Sequence, residues 1–476
     1  MNNAFMKRIF SFALLTLFSF LFCISCAGSE VDEVVPEYTV EITEIDYGGA
    51  DFCFAQRNAT YSTGEEYFGF VVETEFADLA MKRINEVEKR YNINVTANTS
   101  GQSVSDLVTT NSVAGLVPYD ALQAHSSSQT GLARSGYLYD FTLLSDIIDY
   151  TDQEKWGIKE ELKPMCWDHG LYGVVPAAWP ILKYLTMDGV MVVNENYISN
   201  LNQTDPRELV ERDEWTWRTF EELMPIYNHI NDAGDEVVAL YTSYHWLFRT
   251  IQTTNGEPVI FKDENGEFQL GLHSPITFEA MQTAWNWTWG EYRTYLRIDG
   301  SDQITMLNGF LNGTCVLSLM SGTDLCGSEK SVAYNMENFG VVPFPHGPNG
   351  TVNNTGSTIT TTRFVITIPT LCKDPTMSAV VLNAIYDPLP GYEKEESVIE
   401  HLRRQYFFDD RDVTNFVNMY RTELYNYRHE ALTDVYISVP GNISVRERLE
   451  SYSEADEENR QKYVLHIEPT CEELFG

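Results

Sequence analysis

Apolar and polar positions alternate through Val40-Glu41-Ile42-Thr43-Glu44-Ile45, the period-two signature of a half-buried strand. Beyond residue 73 the period lengthens. Phe76, Leu79, Ala80, Ile84, Val87 and Tyr91 recur at helical spacing, and residues 93–96 resume as a strand, so this stretch predicts a β-α-β unit. Pro118-Tyr119-Asp120-Ala121-Leu122 reads as a further strand end, residues 126–129 as a polar loop and 131–137 as a short helix. Residues 237–241 form another strand-like run. A helix begins at Trp215-Thr216-Trp217, with Thr216 as N-cap and Glu221 and Glu222 where the helix dipole favours acids. Ser274-Pro275 opens a second helix with proline at its first position. Asn265-Gly266, between Val259-Ile260-Phe261 and Phe268-Gln269-Leu270, predicts a hairpin turn. A calcium loop of the EF-hand kind is excluded there, because Gly266 comes too early and no glutamate closes the loop. Strands alternating with helices point to parallel α/β layers rather than a sandwich.

The first residues follow a different pattern. Lys7 and Arg8 precede an uncharged apolar run at 9–24, the layout of an export signal. Its ending, Cys23-Ile24-Ser25-Cys26-Ala27-Gly28-Ser29, resembles a lipobox, in which a small residue precedes the lipidated cysteine; Ser25 before Cys26 fits and Phe22 before Cys23 does not. Residues 1–25 are therefore expected to be a signal peptide, Cys26 the lipidated residue, and the acidic stretch 26–37 a flexible tether. An uncleaved membrane anchor is the alternative. Loss of Lys7 and Arg8 with the signal takes the formal charge from -37 to -39, which excludes nucleic acid as a partner and disfavours polyanionic ligands.

The mature length calls for two or three lobes. No repeat, low-complexity tract or linker follows Glu37, so the lobes are expected to interleave. Cys53, Cys166, Cys315, Cys326, Cys372 and Cys471 contain no CxxC pair, which argues against structural zinc. Cys315 and Cys326 are spaced to close a small loop; free buried thiols are the other reading, and sequence leaves the pairing open. There is no HExxH, no GxSxG elbow, no phosphate loop and no dinucleotide fingerprint. His169, His245, His273 and His346 stand alone. No cofactor or metal is expected. A glycosidase needs only two suitably separated carboxylates, so a secreted carbohydrate-active enzyme stays open beside a binding protein, as does a binder of peptides or other polar solutes.

Four segments in order carry a family likeness. They are Gly170-Leu171-Tyr172-Gly173-Val174-Val175-Pro176 with Trp179 and Met191-Val192-Val193-Asn194, then Glu214-Trp215-Thr216-Trp217-Arg218-Thr219-Phe220-Glu221-Glu222-Leu223, then Phe310-Leu311-Asn312-Gly313-Thr314-Cys315-Val316-Leu317-Ser318-Leu319-Met320-Ser321-Gly322, and Phe339-Gly340-Val341-Val342-Pro343-Phe344-Pro345-His346-Gly347-Pro348. Together these resemble bacterial extracellular solute-binding protein family 1, the sugar-binding group that includes maltose-binding protein, over roughly residues 40–384. The third and fourth segments resemble its "F..GkaAM" and "yGvvpfPkGp" patterns, while Val193 stands where a Tyr is usual. The resemblance implies an α/β type II periplasmic-binding fold of two interleaved lobes joined by a hinge. Residues 38–176 with 357–405 would form one lobe, and 177–356 with 406–476 the other. It also implies a monomeric, non-enzymatic, lipid-anchored protein on the extracytoplasmic face of the cell membrane, capturing a sugar for the permease subunits of an ABC importer.

A sugar site combines an aromatic platform with side chains that pair hydroxyls. Trp179, in a segment flanked by Pro176 and Pro180 and lacking a helical period, is the first platform candidate, with Tyr172 beside it. Tyr244 and Trp246 follow a strand, at the edge where open α/β sheets bind ligands. Trp285 is expected in the core, and Trp215 and Trp217 at a helix entry. Asp120, Ser127 and Gln129 in the first lobe, and Ser321, Thr323 and Asp324 in the second, are either hydroxyl partners or helix caps. Arg363, a rare cation near the second crossing, either binds ligand or pairs with an acid.

Overall fold

The computed structural model describes residues 45–56, 66–71, 74–99, 103–116, 118–180, 182–185, 187–271, 274–299, 303–327, 329–359, 364–420 and 439–476. The strand expected at 40–45, the export segment, the tether and Cys26 lie outside them, Ile45 excepted. Residues from Asp46 onward form one compact unit.

The chain begins with β1 (Ala50–Gln56), α1 (Glu75–Tyr91), β2 (Ile93–Thr99), α2 (Val104–Ala114), β3 (Ala121–His125) and α3 (Ser126–Arg134). The periodicity that predicts α1 is the one it buries: Phe76, Ala80, Ile84 and Val87 face the core, and Thr74 caps its N-terminus. A crossing strand, β4 (Met187–Asp188), leads into β5 (Val190–Asn194), α4 (Trp217–Tyr227), β6 (Glu236–Ser243), α5 (Tyr244–Thr253), α6 (Pro275–Trp289), β7 (Leu296–Asp299), β8 (Cys315–Met320), α7 (Gly322–Cys326) and β9 (Phe339–Val342). The return runs through β10 (Thr358–Ile359) to β11 (Phe364–Thr367), followed by α8 (Pro375–Ile385), α9 (Glu395–Gln405), α10 (Asp410–Tyr420), α11 (Val445–Glu450) and α12 (Leu465–Phe475). The caps expected at Thr216 and Ser274 are present, and residues 260–270 form the expected hairpin.

Two sheets result. The first has the order β11-β3-β1-β2, with β1, β2 and β3 parallel and β11 antiparallel. The second runs β6-β8-β5-β9, with β7 also on β6; β6, β7 and β8 are parallel, and β5 is antiparallel to both β8 and β9. Strands β5, β8 and β9 are buried along their whole length, the pattern of a sheet covered on both faces. The crossings β4 and β10 pair with each other, Asp188 opposite Thr358 and Met187 opposite Ile359.

The C-terminal region divides its contacts. Helix α10 lies along β9, the edge strand of the second sheet, where Asp412 Oδ1 accepts from the Val341 N–H at 2.7 Å and Asn415 Nδ2 donates to the Val341 carbonyl at 2.8 Å. Arg207 reaches Asp412 through two bonds, at 3.2 and 3.0 Å, and also pairs with Glu195 and Asp205. Helix α11 packs on α6. Helix α12 instead packs on residues 159–171, a stretch that the sequence places with the first lobe, so the 406–476 region does not stay with one sheet. The polar loop expected at residues 126–129 is the first turn of α3. Packing of Thr130, Leu132 and Ala133 into the interior overrides the weak helical propensity of three serines.

Candidate functional site

Strand direction locates the site. Val190, which starts β5, follows directly on the crossing β4, and the ends of the parallel β6 and β8 (Ser243 and Met320) lie at that same edge of the second sheet. In the first sheet Phe364, which starts β11 after the crossing β10, pairs with His125, the last residue of β3. Both sheets therefore turn the carboxyl ends of their parallel strands towards the β4–β10 pair, and ligands of open α/β sheets bind outside those ends. The crossing is tight. Gly189 and Gly356 have φ of +83° and +71°, and a Cβ on Gly189 would sit 3.0 Å from both the Gly356 carbonyl and Thr250 Oγ1. Asp188 lies 3.8 Å from Arg249 of α5.

The aromatic platform differs from the expected one. Trp179 is wholly buried: its ring stacks on Phe70 at 5.4 Å, leans on Tyr386 at 4.8 Å, and its Nε1–H is shared between the carbonyls of Ile385 and Asp387, each at 3.2 Å. It is a core residue with no face left for a ligand. Trp246 is likewise buried, although the Ser243 hydroxyl caps its backbone N–H at the predicted strand-to-helix turn. Tyr172 packs with Tyr119 and Tyr137 against a satellite cluster around Leu122 and Leu138, and its ring closes over Gly170. Tyr244 alone of the expected aromatics stands half-buried at the ligand edge. It stacks on Trp289 at 5.5 Å and 22°. Trp289 is 38% exposed, with its Nε1–H donated to the Val439 carbonyl. Sequence reading leaves Trp289 unassigned, because nothing local to the end of α6 shows that it meets a residue forty-five positions earlier. Trp285 is half-buried against the core, and Trp215 and Trp217 are buried at the start of α4, as expected.

Among the polar candidates, Asp120 sits at the start of β3, the edge opposite the crossings, where its carboxylate accepts from the Cys53 N–H at 2.8 Å. Burial raises its pKa. Position 127 lies in the first turn of α3, which begins at His125 without a side-chain cap. Gln129 is fully buried, and neither its Nε2 nor its Oε1 has a hydrogen-bond partner among the described residues. Ser321 and Asp324 form a capping box at α7: the Ser321 hydroxyl accepts from the Asp324 N–H and donates to Asp324 Oδ2 at 2.8 Å. Thr323 is exposed and donates to the Leu185 carbonyl at 3.0 Å, tying α7 to the first crossing. These three serve the local structure. Arg363 lies outside the described residues. Cys315 and Cys326 are both free and buried, so the small-loop disulfide is not formed. Among the described residues no cluster of His, Cys, Asp or Glu is arranged to hold a metal, and no helix is long and apolar enough to cross a membrane.

No family model matches the chain, and no curated relative does. Solved structures do. The GacH receptor of Streptomyces glaucescens, solved unliganded and in complex with acarbose, aligns with a TM-score of 0.56 at 12% identity over 87% of this chain and 98% of its own. A cyclo/maltodextrin-binding protein complexed with maltotetraose gives the same TM-score, identity and coverage. An ABC substrate-binding protein from Listeria monocytogenes, in complex with cycloalternan, aligns with a TM-score of 0.54 at 12% identity, covering 87% of this chain and 99% of that one. What is shared is the fold, two α/β lobes interleaved through a hinge, and the likeness expected from the four motifs is met at that level: this is the type II periplasmic-binding architecture.

Proposed function

We propose that the chain is the extracytoplasmic solute-binding component of an ABC importer, lipid-anchored at Cys26, that captures a mono- or oligosaccharide by closing its lobes about the β4–β10 hinge. The observation carrying this reading is the geometry of that hinge: two sheets with their ligand-binding strand ends turned to one paired crossing. Sugar-bound relatives in fold support carbohydrate as the ligand class. The partly exposed stack of Tyr244 on Trp289, backed by Gly441 against the Trp289 ring, supplies the aromatic surface for an apolar sugar face. Gln129 keeps a buried amide without a partner among the described residues, a costly state that a polar guest or an internal water would relieve. The lobes divide near Ala177 and within 357–363, with the last helix returning to the first lobe.

Titration of the mature chain with a glycan panel that includes malto-, manno- and cyclic oligosaccharides, followed by calorimetry and tryptophan fluorescence, tests the reading. One sugar is expected to bind saturably, with a change in emission. Trp289→Ala is expected to weaken that binding at least tenfold, or about 1.4 kcal/mol, with the fold intact because the ring is partly exposed. Absence of calorimetric binding across the panel, or release of reducing sugar from it, overturns the proposal.

A further inference from the structure

Helix α12 is fastened to the first lobe by a row of bonds that brackets two thiols. Lys163 Nζ lies 3.1 Å from Glu468 Oε2. The His169 N–H donates to Thr470 Oγ1 at 2.9 Å, and the His169 ring meets Glu473 at 2.5 Å. Farther along, His466 Nδ1 meets Asp168 at 2.5 Å. Residues three apart on a helix share a face, so the Lys163–Glu468 pair carries Cys471 over the strand residue Cys166. Both side chains are fully buried where the helix packs on the strand, both are free thiols, and Cys166 Sγ reaches the Leu162 carbonyl at 3.5 Å. No other pair of the six cysteines is held this way. Cys53 accepts from Asn98, Cys372 contacts Ser378, and the Cys326 thiol faces the Gly322 carbonyl.

We propose that Cys166 and Cys471 are a cross-linking site, oxidised to a disulfide that locks the C-terminal helix onto the first lobe. The thiols lose two protons and two electrons as the S–S bond forms, and a disulfide-bearing thiol oxidant takes them up and leaves as two thiols. Oxidation takes place before α12 docks, because burial and the neighbouring thiol then push the Cys166 thiol well up and shut out the oxidant. The lock acts on a segment that reaches both lobes. Lys262 of the second-lobe hairpin pairs with Glu472 at 2.6 Å, and Arg460 donates to the Phe268 carbonyl at 3.2 Å. The first-lobe end becomes covalent, while the second-lobe end rests on an ion pair that is almost half exposed and on one hydrogen bond.

The test refolds the full chain from urea in a mixed oxidised and reduced glutathione buffer, alkylates free thiols under denaturing conditions and maps the digest by mass spectrometry. The expected result is one peptide pair joining Cys166 to Cys471, two fewer alkylated thiols than in the fully reduced chain, and a higher urea midpoint that falls when reductant is added. Cys315→Ser keeps the cross-link and Cys166→Ser abolishes it. Full alkylation of both cysteines in refolded parent protein with native circular dichroism, or a cross-link through a different pair, overturns the proposal. That map decides the matter even if Cys166→Ser fails to fold.

Discussion

Trp179 offers a clean separation of packing from recognition. Replacement by alanine removes a fully buried ring from between Phe70 and Tyr386 and leaves the carbonyls of Ile385 and Asp387 without their shared donor. Large-to-alanine changes at such sites cost about 3–5 kcal/mol when the surroundings cannot collapse. Collapse is resisted here, because Lys155 holds Asp387 at 2.5 Å and Arg83 holds the Pro388 carbonyl at 2.7 Å, which pins the neighbouring turn. Trp179→Phe keeps most of the ring and loses the hydrogen bond, a loss of about 0.5–1.5 kcal/mol, with a similar amount for the altered stacking. Urea unfolding followed by far-ultraviolet circular dichroism is expected to give about 3–5 kcal/mol for the alanine variant and about 1–3 kcal/mol for the phenylalanine variant. Sugar affinity of the phenylalanine variant is expected to stay within about twofold of the parent, roughly 0.4 kcal/mol. Unchanged stability in Trp179→Ala together with lost binding would refute the reasoning and return the ring to the ligand site.

Arg207→Met strands Asp412, whose side chain is only 1% exposed, and is expected to destabilise the chain by about 3–5 kcal/mol. Adding Asp412→Asn should recover part of that, and strictly additive effects in the double variant would show that the two do not act as a pair. The second expectation concerns pH. Burial pushes Asp324 up to about 6 from the ordinary aspartate value of 3.8, so the folded chain holds this proton where the unfolded chain has released it. Its contribution to stability is therefore full below about pH 4 and is lost as pH rises through 6. Urea midpoints of Asp324→Asn should lack that fall, and parallel profiles in the two proteins would contradict the assignment.

Much of the architecture was legible because it is written in short-range pattern. The helical face of residues 76–87, the caps at Thr216 and Ser274 and the Asn265-Gly266 turn each depend on residues within a few positions of one another. The site was less legible for the opposite reason. A segment between two prolines shows no period, so nothing local marks Trp179 as core; Phe70 and Tyr386, which bury it, lie roughly one hundred and two hundred positions away. Asp120 and Gln129 stand close in sequence but at opposite ends of a five-residue strand, and only strand direction separates them. Tyr244 lies at the expected strand-to-helix turn because such a turn is local, while its stacking on Trp289 has no local signal.

Helix α10 also sets a limit on how the chain can be shortened. By bonding both backbone groups of Val341, it occupies hydrogen-bonding positions that an edge strand otherwise offers to any passing chain. A proteolytic product ending near residue 405 would keep both sheets yet bare the fully apolar run Phe339–Val342, giving two such fragments a surface on which to pair strand to strand. The region after residue 405 thus protects the protein from its own copies as well as completing its shape.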